Sequence, residues 1–123
     1  MAHSHPSMFK TDLLLHPLGN RQWMIAVPFI VQTETVGEVI VPSGFMCDLN
    51  SIPQFLWFVS TPADYPEAGV VHDWGYRGNL TQAQADATYR EILKALGMGK
   101  VRRNLRYAAL RTFGRFSYKG ERA

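Results

Sequence analysis

A histidine followed at once by an aspartate, His72-Asp73, lies in an otherwise apolar and small-residue stretch. A second aspartate, Asp86, follows fourteen positions later inside a helical pattern. Ionisable side chains in such surroundings are costly to bury unless they pair. In a pair, Asp86 would hold one ring nitrogen of His72 and fix its tautomer, while the other nitrogen takes a proton from water. The residues therefore suggest a His–Asp dyad for hydrolysis with water as the nucleophile.

Oxygen-bearing side chains near this dyad are ligands of the kind that Ca²⁺ prefers. Asp73, together with Asp48 or with carbonyl groups of the loop 44–51, is predicted to hold the cation. A bound Ca²⁺ would polarise an ester carbonyl or a phosphoryl oxygen. The predicted supporting residues are Tyr76, Asn50 and Ser51.

Other kinds of chemistry find no support in the sequence. No serine stands in a Gly-x-Ser-x-Gly setting, and no glycine loop for phosphate is present. Cys47 is the single cysteine, which excludes an intrachain disulfide and a zinc site made of cysteines. One alternative stays open, because His72 and Asp86 would also form a purely structural polar cluster with Tyr76.

Length and charge set the broad class of the protein. The 123 residues are 46% hydrophobic and 19% charged, as in a folded domain. We expect one domain over residues 9–118, between flexible tails at 1–8 and 119–123. No apolar run suits a membrane span, and no secretion signal is expected.

Positive charge is concentrated at the C-terminal end of the chain. Residues 94–123 contain nine Lys or Arg and one acid, whereas residues 1–93 contain four Lys or Arg and nine acids. A basic end indicates an acidic partner surface, with a solvated helix face as the alternative. The residues predicted to bind that surface are Arg102, Arg103 and Arg106.

The first third of the chain is predicted to form β-strands, and the last half helices. Strands are expected at 12–16, 22–27, 29–33 and 37–41, in two hairpins. Four prolines disfavour long elements in 42–66, where the apolar stretch 54–60 predicts a short buried helix or a membrane-touching patch. Helices are expected at 66–77, 81–96 and 100–116. The fold class is therefore α+β, an N-terminal antiparallel sheet of about four strands followed by three packed helices.

Helical spacing positions the candidate residues. Ala68, His72 and Tyr76 share one face of the first helix. Asp86 falls on or beside the buried face of the second helix, whose start is marked by the capping-box pattern of Thr81 and Gln84. Facing helices joined by a short turn would bring His72 and Asp86 together. Val101 and Leu105 belong to an apolar stripe on the third helix, with its arginines mostly elsewhere.

Three motifs in order resemble a known family. They are Gly-Phe-Met-Cys-Asp-Leu-Asn-Ser-Ile-Pro at 44–53, Ala-Gly-Val-Val-His-Asp-Trp-Gly-Tyr at 68–76 and Ala-Asp-Ala-Thr-Tyr at 85–89. This pattern is similar to the phage and prophage family known as domain of unknown function 1353, over about residues 27–117. Family members usually have Thr in place of Cys47 and a small residue in place of Asn50. The resemblance implies a phage gene product and supplies no established activity.

A second resemblance concerns His72-Asp73-x-x-Tyr76 and the later Asp86. The pattern is similar to the catalytic helices of phospholipase A2 enzymes, especially those of parvovirus capsids. The likeness implies that His72 activates water, that Asp73 binds calcium and that Asp86 orients the histidine. The chain departs from those enzymes in lacking their glycine-rich calcium loop.

These observations lead to two functional hypotheses. The first is a phage-encoded, Ca²⁺-assisted ester hydrolase that acts on the host envelope and meets an anionic membrane. The second is a non-catalytic virion component, such as a tail or tail-tip protein, that contacts other virion proteins. Nucleic-acid binding by the basic helix has less support, because no recognised binding motif is present. The expected location is the virion or the host cytoplasm.

Overall fold

The structure is a computed structural model, and it describes residues 6–20, 22–47, 65–116 and 118. Antiparallel strands come first and three helices follow, which confirms the predicted α+β class. Three predicted site residues, Asp48, Asn50 and Ser51, lie outside the described residues, as does the apolar stretch 54–60.

The first sheet contains β1, Leu15–Gly19, β2, Gln22–Ile25, and β5, Met46–Cys47, in the order β1-β2-β5. The predicted hairpin is present, but β1 spans 15–19 rather than 12–16, so it includes residues that were expected between the two strands. Pro17 is tolerated there because β1 is an edge strand, where a missing N–H interrupts no inner ladder. The two-residue strand β5 was not predicted, since it is too short to show a periodic pattern.

The second sheet is the hairpin of β3, Phe29–Thr33, and β4, Gly37–Val41, whose bounds agree with the prediction. Alternate residues of β3 point inward, and Phe29 and Val31 are fully buried. The N-terminal segment extends this sheet, since Lys10 N donates to Ile30 O and Gln32 N donates to Met8 O. Met8 was predicted to lie in a flexible tail, but its backbone is hydrogen-bonded to β3.

Three helices follow the strands: α1, Pro66–Trp74, α2, Gln82–Ala95, and α3, Lys100–Phe113. Helix α1 contacts β4 and β5, and α2 packs against both α1 and α3. A π-helical turn, Gly75–Asn79, follows α1, and a 3₁₀ turn, Gly114–Phe116, follows α3. The predicted capping box of α2 is present, with Thr81 Oγ1 accepting from Gln84 N at 3.1 Å and Gln84 Oε1 accepting from Thr81 N at 3.0 Å. No described helix is long and apolar enough to cross a membrane.

Helix α3 is oriented differently from the prediction. Its buried residues are Arg106 and Leu110, whereas Val101 and Leu105 are 73% and 51% exposed. The expectation of an inward apolar stripe was therefore wrong for these two residues. Inside the protein, Arg106 Nη1 donates to Tyr89 Oη at 2.7 Å, which offsets part of the lost hydration of the guanidinium.

The capping box yields a stability prediction. Thr81→Ala removes the hydroxyl that accepts from Gln84 N, so we expect a loss of about 1 kcal/mol in the free energy of unfolding. Chemical denaturation measures it. The matched control is Thr112→Ala, since Thr112 is exposed within α3 and alanine is a better helix former. Equal stability of Thr81→Ala and the wild type would contradict a role for this cap.

Candidate functional site

The structure brings His72 of α1 and Asp86 of α2 into direct contact. His72 Nε2 lies 2.9 Å from Asp86 Oδ1, and both side chains are 0% exposed. Asp86 lies on the buried face of α2, as its position in the helical pattern indicated. The two residues predicted as a catalytic pair are thus hydrogen-bonded, while catalysis itself stays a prediction.

Two further side chains donate to the same carboxylate. Tyr76 Oη donates to Asp86 Oδ1 at 2.6 Å, and Arg111 Nη1 of α3 donates to Asp86 Oδ2 at 3.0 Å. Arg111 is 39% exposed, so its charge lies between the interior and the surface. A buried carboxylate is strongly disfavoured alone, and these contacts compensate for its lost hydration.

Aromatic rings hold the imidazole in place. The His72 ring centroid lies 3.9 Å from that of Tyr76 and 5.3 Å from that of Tyr89. Tyr118 makes an edge contact with Tyr76, with 5.3 Å between the ring centroids. Because two tyrosine rings contact His72, packing restricts its orientation relative to Asp86 as hydrogen bonding does.

Small residues allow the helices to come close enough for these bonds. A Cβ added at Gly75 would lie 2.9 Å from Ala85 Cβ, which is too near for unstrained contact. A Cβ added at Gly114 would overlap the Tyr76 hydroxyl. Glycine at 75 therefore permits the approach of α2, and glycine at 114 leaves room for the tyrosine that donates to Asp86.

The hydrogen bond to Asp86 determines which nitrogen of His72 is available for chemistry. An ionised carboxylate only accepts hydrogen bonds, so we place a proton on His72 Nε2. In the neutral ring Nδ1 is then the acceptor. His72 Nδ1 is buried and has no hydrogen-bond partner within the part of the chain that the structure describes. It is the nitrogen that a water molecule would approach in base catalysis.

Tyr76 is held in its protonated form. Burial raises the pKa of Tyr76 well above its ordinary value of 10.0, and the hydrogen bond to Asp86 raises it further. Both effects disfavour a phenolate beside a carboxylate. Tyr76 therefore stays a hydrogen-bond donor to Asp86 across the physiological range of pH.

Of the two carboxylates predicted to bind the cation, only Asp73 is among the described residues. Asp73 is 14% exposed, and its Oδ1 lies 3.6 Å from Arg77 Nε, one helical turn onward. Asp48, its predicted partner, is outside the described residues. Across ranges 6–20, 22–47, 65–116 and residue 118, no group of three His, Cys, Asp or Glu side chains forms a metal site.

The three arginines predicted to bind a surface differ in their surroundings. Arg102 is exposed, Arg103 is partly buried and donates to Met98 O at 3.1 Å, and Arg106 is 2% exposed. A surface role does not fit Arg106, because its guanidinium is enclosed beside Tyr89.

Sequence reasoning also missed Arg111 as a partner of Asp86. In the sequence, Arg111 is one of several basic residues near the C-terminus. That pattern does not show whether an arginine side chain faces the interior or the solvent.

A groove lies away from the dyad. It has a volume of about 650 Å³ and is lined by Lys10, Glu34, Glu91 and Lys94 among others. Glu91 is already engaged there, since its carboxylate accepts from the backbone N–H groups of Glu34 and Thr35. Neither His72 nor Asp86 lines this groove, so it adds nothing to the chemistry of the pair.

Comparison with known protein families gives a match over most of the chain. A family model described as "Protein of unknown function (DUF1353)" matches residues 23–110, which include α1, α2 and most of α3. No curated protein and no solved structure matches the chain. The matched range contains His72, Tyr76 and Asp86.

Removing the tyrosine hydroxyl tests the cluster around Asp86. Tyr76→Phe deletes the donor to a fully buried carboxylate oxygen, so we expect a loss of about 1–3 kcal/mol in the free energy of unfolding. Urea denaturation gives the value. Tyr107→Phe serves as the control, because that ring contacts the Arg90 guanidinium through its face and keeps this contact without the hydroxyl.

The same variant has a signature at alkaline pH. The pKa of Tyr76 is raised on folding, so its contribution to stability is present below the unfolded value of 10.0 and is lost as pH rises beyond it. The wild type should therefore lose stability above about pH 10 more steeply than Tyr76→Phe. Identical alkaline slopes for the two proteins would show that Tyr76 ionises as it does in water.

Proposed function

Since this chain belongs to the DUF1353 family, whose description leaves the activity open, we propose a function from the site itself. The function is hydrolysis of an ester by water, with His72 as the general base and Asp86 as the residue that positions it. The proposal extends to a phage-encoded enzyme whose substrate is a phospholipid or another ester of the host envelope.

One observation carries the proposal. His72 Nε2 is bonded to Asp86 at 2.9 Å, while Nδ1 of the same ring is buried with no partner from the described protein atoms. Leaving a buried acceptor unsatisfied costs about 1–3 kcal/mol. A water molecule bonded to Nδ1 would remove that penalty and would stand where a nucleophile is needed. General-base catalysis needs a positioned nitrogen that accepts a proton from water, and Nδ1 is the nitrogen of His72 left to do so.

The proposed reaction uses ordinary acyl chemistry. Water oxygen forms a bond to the ester carbonyl carbon while its proton passes to His72 Nδ1. The carbon–oxygen bond to the alcohol then breaks, and the imidazolium returns the proton to the leaving alkoxide. The products are a carboxylic acid and an alcohol. Asp86 stabilises the transient imidazolium, and Tyr76 and Arg111 keep the carboxylate oriented towards Nε2.

A cation is proposed as an auxiliary group. Asp73 adjoins the dyad, and with Asp48 it would supply the carboxylate oxygens that Ca²⁺ prefers. When bound, the ion would polarise the carbonyl of the ester. Asp73 would exchange its contact with Arg77 for this role, and at 3.6 Å the Asp73–Arg77 contact is a loose ion pair.

A second function is supported by a different observation. His72 and Asp86 are both 0% exposed, and Asp86 accepts hydrogen bonds from His72, Tyr76 and Arg111. A buried carboxylate whose oxygens are hydrogen-bonded is also what a structural role produces. In that case the protein is a non-catalytic virion component, such as a tail or tail-tip protein. Mass spectrometry of purified particles that shows a fixed stoichiometry, together with no ester hydrolysis, would favour this function.

The catalytic role is tested with His72→Gln. Glutamine can still donate to Asp86 but cannot take a proton from water, so hydrolysis should fall by roughly 10²–10⁴-fold while the fold is kept. The assay uses a panel of short-chain esters and phospholipid micelles, with circular dichroism as the check of folding. His16→Gln is the control, since His16 is exposed on β1 and should leave activity unchanged. A variant as active as the wild type would exclude His72 as the base, and an inactive wild type would exclude the hydrolase.

Calcium dependence is a separate prediction. Chelation of Ca²⁺ should lower the hydrolysis rate roughly tenfold or more, because the carbonyl loses its polarising ion. Asp73→Asn should weaken Ca²⁺ binding in calorimetry, whereas Glu38→Gln, an exposed acid on β4, should not. Calorimetry that detects no Ca²⁺ binding to the wild type would remove the cation from the mechanism and leave the dyad unaffected.

A further inference from the structure

The outward face of α3 carries a short apolar ridge. Val101 is 73% exposed and Leu105 is 51% exposed, and four residues separate them, so they are neighbours along the helix. Ala108 continues the same line and is exposed as well. Single exposed aliphatic residues are ordinary, but adjacent ones on a well-formed helix point to a contact surface.

Positive side chains border this ridge on both sides. A turn of about 100° per residue places Arg102 on one flank and Lys100 on the other. Both are exposed. Helix α3 contains five Lys or Arg and no Asp or Glu. The ridge therefore lies on a helix whose own net charge is positive.

The opposite face of α3 packs against the rest of the protein. Arg106 and Leu110 are 2% and 1% exposed, and Gly114 is buried against Tyr76. The helix cannot turn its ridge inward without exposing those residues. The apolar ridge and its basic flanks are thus presented outward as a formed surface, with little ordering left to accomplish on binding.

We propose that this face docks in the plane of an anionic phospholipid surface. An apolar ridge with basic flanks suits the boundary between headgroups and acyl chains, where aliphatic residues enter and long basic side chains reach the phosphates. Nucleic acid offers phosphates to the cations but gives the exposed Val101 and Leu105 no apolar environment. The exposed apolar ridge therefore favours a phospholipid surface over nucleic acid as the binding partner.

Docking goes beyond hydrolysis and needs no chemistry at His72. It names the surface at which the proposed hydrolase would meet a phospholipid, and it holds equally for a protein without activity. Binding is therefore measured on ether-linked phospholipids, which have no acyl ester to hydrolyse. A failure of docking and a failure of catalysis are then seen in different experiments.

The test is sedimentation of the whole protein with vesicles. One set contains ether-linked phosphatidylcholine alone, and the other an equal mixture with ether-linked phosphatidylserine. Binding is expected only to the mixed vesicles and should weaken with added salt. Val101→Ser with Leu105→Ser should lower affinity about tenfold or more. Arg102→Gln should lower it about fivefold, the effect of one cation near an anionic surface.

A matched pair of changes controls for general loss of exposed aliphatic residues. Leu14, just before β1, and Leu18, within it, are 49% and 42% exposed, so Leu14→Ser with Leu18→Ser should bind vesicles as the wild type does. Docking through α3 is overturned if the ridge variant, folded by circular dichroism, binds as well as the wild type, or if the wild type does not bind. Tighter binding of duplex DNA, insensitive to the ridge variant, would overturn it in favour of nucleic acid.

Discussion

The buried carboxylate of Asp86 is the constraint on which the helical half of this protein depends. A charged group without exposure is tolerated only when its oxygens are hydrogen-bonded. Here the donors come from separate elements: His72 from α1, Tyr76 from the π-helical turn and Arg111 from α3. Each helix must therefore keep its position relative to α2, because displacement of any one would leave a charge or a polar group unsatisfied inside the protein.

Close backbone approach makes this arrangement possible. Gly75 leaves no room for a side chain beside Ala85, and Gly114 leaves none beside Tyr76. The first glycine sets the distance between the end of α1 and α2, and the second sets the distance between α3 and the π-helical turn. Hydrogen bonds near 3 Å tolerate little displacement, so these close contacts position the donors as much as the bonds themselves do.

Much of this organisation follows from local rules that can be read in a sequence. Helical spacing predicted that His72 and Asp86 would face each other, and the Thr81 cap predicted the start of α2. The orientation of α3 did not follow, because a periodic apolar pattern assumes that arginine faces water. Arg106 instead finds Tyr89 inside, and Val101 stays outside. Such pairings depend on residues distant in the chain, and the two-residue strand β5 likewise depends on its partner β2.

Arg111 lies at the boundary between the interior of the protein and its surface. Its guanidinium bonds to the fully buried Asp86, yet the side chain is 39% exposed and belongs to the helix that carries Val101 and Leu105. Contact of α3 with an anionic surface would change the electrostatic environment of Arg111. Because His72 and Arg111 share one carboxylate, any change in the Arg111–Asp86 bond alters the charge that Asp86 presents to His72. The same residue that stabilises the buried cluster would then make the proposed base sensitive to what lies against α3.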